Sequence, residues 1–301
     1  MARAMGLLDL FKKNPFSTMR RSRVHIGKRF EVLRTAISGS MSKFYMARDR
    51  ENDDVIGLKV ADPKKSKLFE SRFKELKKPV EGEIAMAIEH PYVVKTLEHG
   101  ITRDREAYIV MEYIEGPGLH NLIYNNDSIL DGKRLNLIRQ MAEALGAVHD
   151  AGFVHRDVCP RNYICNLDGE SIKLFDFGLT LPDKHSYRQP GNRTGTPLYM
   201  APEVVRRKWT DRRLDIFSLG VTLYELCTFT LPWPKTETSG LAALAHDTDK
   251  PKEILELKPD LNQKIAAAIM KCISADADDR FGTIPELLTA IQDCQHENEN
   301  G

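Results

Sequence analysis

From Arg29 to about Met111, apolar and polar residues alternate with a period close to two. This predicts strands over Phe30 to Ser38, Lys43 to Asp49, Val55 to Val60, Val93 to Thr96 and Ala107 to Tyr113. One helical segment interrupts them between Lys65 and His90. From Leu119 onward the apolar spacing changes to three and four, which predicts helices over Arg134 to Ala151, Asp211 to Phe229 and Leu261 to Ile273 with a few short strands between. There is no internal repeat, and the only low-complexity tract is the polar ending HENENG. A strand-rich half followed by a helix-rich half predicts an α+β, bilobed fold: a small β-rich lobe with one main helix, a larger helical lobe, and a cleft between them.

Composition agrees with two lobes. The chain has 301 residues, and single cores stop growing at roughly 250 to 300 residues. With 42% apolar and 29% charged residues it is an ordinary globular composition, and a net charge of +1 gives no reason to expect a nucleic-acid partner. No apolar run approaches the roughly 18 to 20 residues that span a bilayer, and no signal-peptide pattern is present, so a cytoplasmic location is expected. Five cysteines, at 159, 165, 227, 272 and 294, have no C-x-x-C spacing and read as reduced thiols. In residues 1–13, Leu7, Leu8, Leu10 and Phe11 interleave with Arg3, Lys12 and Lys13, as on a short amphipathic helix that touches a membrane surface or a partner. The simpler alternative is a helix docked on its own domain, or a frayed tail.

The chemistry is concentrated in an ordered series: His155-Arg156-Asp157, Asn162 five residues after the aspartate, Asp176-Phe177-Gly178, Ala201-Pro202-Glu203, and DIFSLG at 215–220. Each tripeptide alone is a weak signal, but the order and spacing resemble the eukaryotic-type protein kinase family. The resemblance covers about Phe30 to Cys294. It implies a basic amphipathic tail over 1–28, a kinase domain over 29–294 (N-lobe 29–112, hinge and C-lobe 113–294) and a polar tail over 295–301. It also implies ATP and Mg²⁺ as cofactors and a protein as substrate. Asp157 would take the proton of the attacking hydroxyl, Asn162 and Asp176 would bind Mg²⁺ through hard oxygen atoms, and Lys59, in Ile56-Gly57-Leu58-Lys59, would pair with the α and β phosphates.

The family's glutamate partner for that lysine is chosen between Glu81 and Glu83. Glu81 shares a helical face with Ile84, Ala85 and Ile88 and is preferred, although Pro79 and Gly82 weaken a helix there. By resemblance, Met111-Glu112-Tyr113-Ile114 is the hinge. Met111 would guard the back pocket, Glu112 and Ile114 would offer backbone groups to adenine, and Ile164 would form the pocket floor. Glu203 and Arg280 match a structural ion pair of the family.

Three departures bear on activity. The glycine-rich loop reads Ile37-Ser38-Gly39-Ser40-Met41-Ser42, so one of three glycines is kept; a stiffer loop and weakened ATP binding are expected. Phe44 and Gly57 replace a valine and an alanine over the adenine, and the expectation is that Phe44 fills the space above Gly57. Cys159 stands where Ser/Thr kinases place a lysine, while Arg161 stands where tyrosine kinases keep an arginine; Arg161 is expected to supply the cation. A second reading of Cys159 is a redox-sensitive thiol activated by neighbouring cations.

Gly195 to Glu203 resembles the substrate loop of Ser/Thr kinases, with Thr196 placed to bond the catalytic aspartate. Arg156 would receive a phosphate from the activation segment, for which Thr194, Ser186 and Tyr187 are the candidate acceptors, Thr194 first. The main reading is therefore an ATP-dependent protein serine/threonine kinase. The alternatives are a pseudokinase or ATP-binding scaffold, favoured by the degraded loop and Cys159, and a small-molecule phosphotransferase, disfavoured by the GTPLYMAPE segment.

Overall fold

The computed structural model describes residues 23–38, 42–233 and 245–298. The amphipathic segment expected over residues 1–13, Gly39 and the final residues of the polar tail lie outside the described residues. The chain divides into two compact units, one containing residues up to Lys74 and Thr96–Tyr113, the other Glu75–Lys95 and everything from Ile114 onward.

In the first unit five strands form one antiparallel sheet in the order β1-β2-β3-β5-β4: β1 Phe30–Ser38, β2 Ser42–Asp49, β3 Val55–Ala61, β4 Thr96–Ile101 and β5 Ala107–Glu112. Phe30, Ala47, Ile56, Leu58, Tyr108 and Val110 form its core, with Val24 and Ile26 packed against them. Arg29, at the end of helix α1 (Ile26–Arg29), fastens that edge through Asp49 and Glu98, at 2.7 and 2.8 Å. The expected strand at Val93–Thr96 lies elsewhere. Val93 and Val94 instead join Leu174 of the second unit, through a parallel bridge and a 2.9 Å hydrogen bond. The true strand begins at Thr96, where Glu98, His99 and Gly100 dilute the alternation.

The predicted 65–90 helical stretch is three pieces. Helix α2 (Pro63–Glu70) starts at Asp62, whose side chain accepts from the amides of Lys64 and Lys65; a 3₁₀ segment follows over Ser71–Leu76, and then helix α3 (Glu81–Met86). Pro79 lies outside α3, which is why it does not disrupt it. Residues 75–95 belong by their packing to the second unit, where Ile84, Ala85, Ile88 and Val93 join the large core. The strand-rich stretch 29–112 is therefore not one continuous body.

The second unit is built on α5 (Arg134–Asp150) and α7 (Arg213–Thr228), preceded by α4 (Leu119–Tyr124). Between them come β6 (Phe153–Val154), β7 (Tyr163–Cys165), β8 (Ile172–Leu174), β9 (Leu181–Pro182) and the small α6 (Pro202–Val205). Helix α7 is buried almost all round, as its apolar sequence requires. Later helices α8 (Ala245–Thr248), α9 (Ile254–Leu257), α10 (Gln263–Cys272) and α11 (Ile284–Ala290) close the unit.

The segment expected to be a polar tail from residue 295 is tied into this unit as far as Asn298. Glu297 is buried and accepts from the backbone of Arg134 at 2.7 Å and its guanidinium at 2.9 Å, while the backbone of Glu297 accepts from Asn262. Its carboxylate thus serves both the N-terminus of α5 and a buried cation, which a polar sequence alone does not announce. Removing one partner of a buried ion pair is destabilising by about 3 to 5 kcal/mol. Glu297→Ala should therefore lower the unfolding free energy measured in urea by about that amount, moving the midpoint without changing the slope, whereas an exposed, unpaired carboxylate in a loose tail would give a change within about 0.5 kcal/mol.

Candidate active site

In the second unit one carboxylate fixes the loop that carries most of the candidate residues. Asp215, in the first turn of α7, is fully buried and accepts from the backbone amides of His155 and Arg156, both at 2.7 Å, with the His149 ring at 3.0 Å. Burial acts to raise its pKa, but the His149 hydrogen bond and charge, with the amides, outweigh that and hold it below the usual carboxylate value. Arg156 has a φ of 70°, a left-handed conformation that costs a non-glycine residue about 1 kcal/mol. Two amide bonds to a charged acceptor, each worth about 1.5 to 3 kcal/mol, exceed that cost. Asp215 was quoted in the sequence only as part of a motif. The signal that would have singled it out is a carboxylate inside the apolar run of a buried helix, which demands partners.

The loop delivers Asp157 into a tightly held position. Its Oδ1 accepts from the backbone and the hydroxyl of Thr196, both at 2.8 Å, and its Oδ2 accepts from Asn162 Nδ2 at 3.2 Å. Gly195 permits this approach: its φ is 126°, and a Cβ there would stand 2.7 Å from the Arg156 carbonyl. Burial raises the Asp157 pKa, the Thr196 hydroxyl opposes it, and the negative charge of Asp176 raises it further, leaving it above the ordinary value. Asp176 itself has a φ of 69° and accepts from the Gly178 amide at 3.1 Å.

Asn162 is likewise oriented, donating to the Asp157 carbonyl at 2.7 Å, which directs its Nδ2 to Asp157 and leaves Oδ1 as the atom available to a cation. The Asn162 amide oxygen and the Asp176 carboxylate are hard-oxygen donors of the kind suited to Mg²⁺. Among the described residues no group of three or more His, Cys, Asp or Glu forms a self-contained metal cage.

Within the first unit, Lys59 of β3 is buried and its ammonium lies 5.2 Å from the Phe44 ring centroid. Phe44 and Lys59 are register partners. This corrects the expected pairing of Phe44 with Gly57. A Cβ at Gly57 would meet Met111 Cγ at 2.8 Å and the Glu112 carbonyl at 3.4 Å, so the volume freed at Gly57 is taken by Met111, its partner across β3 and β5. Ser42 is buried at the start of β2, and Ile37 lies on β1. Met111 and Glu112 end β5.

In the second unit, Glu81 is half-buried on the face of α3 that carries the buried Ile84 and Ala85, with buried Ile88 just past the helix end, whereas Glu83 turns back to accept from the Val80 amide at 3.1 Å. Glu83 thus caps its helix and Glu81 is the one placed toward the interior. Ile114 opens this unit's second stretch, and half-buried Ile164 lies on β7, bridged to Gly118.

Cys159 and Arg161 are placed oppositely. Cys159 packs in the large core with its Sγ 3.7 Å from the Thr196 hydroxyl, and burial pushes its thiol up to about 12. That overturns the redox-sensitive reading: desolvation and the nearby Asp157 charge both oppose a thiolate. Arg161 is exposed, and its side chain makes no hydrogen bond or ion pair among the described residues. Of the candidate phosphate acceptors, Ser186 is exposed and Thr194 is half-buried, its hydroxyl 3.3 Å from Asn192 Oδ1. Tyr187 is buried, its hydroxyl donating to the Leu76 carbonyl at 2.7 Å, so it is withdrawn from solvent. The expected ion pair is present, with Arg280 donating to both oxygens of Glu203 at 2.8 and 2.9 Å.

Residues 30–296 match the family model described as a protein kinase domain. The chain is 28% identical over 264 residues to the serine/threonine-protein kinase pkn3 of Myxococcus xanthus, covering 84% of this chain and 48% of that protein. It is 29% identical over 271 residues to the serine/threonine-protein kinase PknB of Mycolicibacterium smegmatis, covering 87% and 42%. With the serine/threonine-protein kinase PrkC of Bacillus subtilis it shares 29% identity over 270 residues, covering 89% and 40%. The chain thus spans less than half the length of each of these relatives.

All five cysteines are buried, and Cys159, Cys165, Cys227 and Cys272 have their thiols pushed up to about 12 by burial. Ellman's reagent at pH 8 should therefore titrate none of them rapidly in the native protein and all five in urea. Fast labelling of Cys159 in the folded protein would contradict its placement.

Proposed function

The chain belongs to the protein kinase domain family, and on that footing we propose that it transfers the γ-phosphoryl of ATP to serine or threonine hydroxyls of a protein substrate. The observation that carries this reading is the geometry of Asp157: a buried carboxylate aimed by Thr196 and Asn162, on the loop that also carries Asn162. In the reaction the acceptor oxygen forms a bond to Pγ, the bond from Pγ to the β-phosphate oxygen breaks, and Asp157 takes the hydroxyl proton. Asn162 and Asp176 would hold Mg²⁺, which when bound neutralises phosphate charge. Lys59 contributes a buried cation for the same charge, and Glu81 is assigned by the family resemblance as its carboxylate; Ile37, Gly39, Ser42, Phe44, Gly57, Met111, Glu112, Ile114 and Ile164 are assigned to the nucleotide on the same ground.

Arg161 takes the role left vacant by Cys159. Position 159 faces the core, and the exposed guanidinium two residues on is unengaged among the described residues, a geometry suited to a phosphate. Regulation is assigned to Thr194. The Nε of buried Arg156 and the Nδ2 of Asn192 have no hydrogen-bond partner among the described residues, so a phosphate on the neighbouring Thr194 would satisfy both. Five buried, unpaired thiols support a reducing, cytoplasmic setting.

An autophosphorylation assay with labelled ATP and Mg²⁺ tests the reading. Wild type should incorporate label and Asp157→Asn should not; absence of label from both, with ATP binding retained, would establish a scaffold instead. Arg161→Ala should lower kcat by on the order of a hundredfold, and Cys159→Lys in that background should recover part of it. An unchanged rate in Arg161→Ala would end the exchange account.

A further inference from the structure

Two segments of the second unit, 183–188 and 206–213, carry seven lysines and arginines against two aspartates, in a chain whose net charge is only +1. They are locked together. Asp183, with its side chain 2% exposed, accepts from Arg188 at 2.8 Å and from Arg212 at 2.7 Å; the Thr210 amide donates to the Arg188 carbonyl; and the rings of His185 and Trp209 lie 4.8 Å apart. One buried carboxylate therefore fixes two loops and neutralises two of the cations. Lys184, Arg207 and Lys208 are exposed, and their side chains make no hydrogen bond or ion pair among the described residues. Between them Trp209 is 51% exposed, large for an indole with an apolar body.

Arg207 is held in place by the end of α6. Its φ is 55°, the left-handed conformation of a residue that terminates a helix, and it sets the direction in which the chain leaves α6. Here α6 and the bonds from the Arg207 amide to the Val204 carbonyl and from the Lys208 amide to the Glu203 carbonyl hold the turn.

We propose that this surface docks an acidic stretch of the protein substrate, next to the serine or threonine to be phosphorylated. The proposal rests on the phosphotransfer reading and narrows its substrate class. Continuity argues for it: Arg206–Trp209 follow closely on the Gly195–Glu203 loop, whose Thr196 is bonded to Asp157. Composition argues for a polypeptide, since tryptophan and arginine are the residues enriched at energetic centres of protein interfaces. Three unengaged cations fall short of the roughly six to ten phosphate contacts typical of strong duplex binders. A lone exposed indole is likewise a small apolar face for a bilayer.

The test uses the full chain and two synthetic peptides, a serine flanked by Asp and Glu and its Asn and Gln isostere. Wild type should prefer the acidic peptide about tenfold in KM with similar kcat, and 0.5 M NaCl should erase the preference, because about three screened surface pairs act together. Arg207→Glu with Lys208→Glu should abolish the preference while leaving kcat on the isostere unchanged. Arg207→Gly, which glycine's backbone freedom makes safe for folding, should remove part of it. Fluorescence anisotropy of the labelled acidic peptide reads docking without catalysis. Salt-sensitive, variant-sensitive binding with no phosphorylation of either peptide would uphold docking and sink the transfer reading. Equal KM and equal binding for the two peptides would overturn the docking proposal. So would survival of the preference in the charge-reversed variant, or an effect of that variant confined to phosphatidylserine vesicles or duplex DNA.

Discussion

The candidate active site depends on the Asp215 carboxylate more than on any residue expected to touch a substrate. It is a charge taken wholly out of water, an arrangement unfavourable by several kcal/mol unless donors replace the lost hydration. Those donors are the amides of His155 and Arg156 and the His149 ring, so stabilising the charge and shaping the loop are one event. The strain accepted at Arg156 is small beside these charge-assisted bonds. From that fixed backbone, Asp157 and Asn162 follow in short order, and the Gly195–Glu203 loop reaches Asp157 through the clearance left at Gly195.

Much of this was legible in the sequence, and the reasons are physical. Helices α5, α7 and α10 bury broad apolar faces, so their periodicity was strong and their observed ends fall within two residues of expectation. Strand β1 was read at its observed bounds. The motif residues stood out because their order and spacing match the family to which the chain belongs. Misreadings arose where a pattern serves a partner that is distant in sequence. Val93 and Val94 look like a strand because they are buried, but the neighbour that buries them is Leu174. Glu297 looks like tail because it is charged, but its donors lie more than 160 residues earlier.

The departures from the family pattern likewise become intelligible as local exchanges of volume and charge. At Gly57 the missing methyl is matched by Met111 across the sheet, a pairing that alignment along the chain did not suggest because the two lie on β3 and β5. Phe44, freed from that role, places its ring near the Lys59 ammonium, where a ring quadrupole attracts a cation by about 0.5 to 2 kcal/mol. At Cys159 the smaller, apolar side chain has been absorbed into the core, and this moves the question of charge to Arg161.

The same construction recurs at Asp183. Like Asp215, it is a carboxylate withdrawn from water that dictates the path of two segments far apart in sequence; unlike Asp215, it works through two guanidinium groups rather than amides. The difference matters for what each can do. An aspartate saturated by amides presents no charge to solvent and is suited to holding a reacting group still. An aspartate that neutralises two arginines at a surface fixes the backbone that carries Lys184, Arg207 and Lys208, cations with no ion-pair partner among the described residues, on the same segments as an exposed indole. A flexible run of basic residues would lose rotamer and backbone freedom on binding, at about 0.5 to 1.5 kcal/mol per immobilised side chain. Fixing the loops in the fold removes the backbone part of that loss in advance, which is the physical reason to expect recognition rather than mere solvation at this surface.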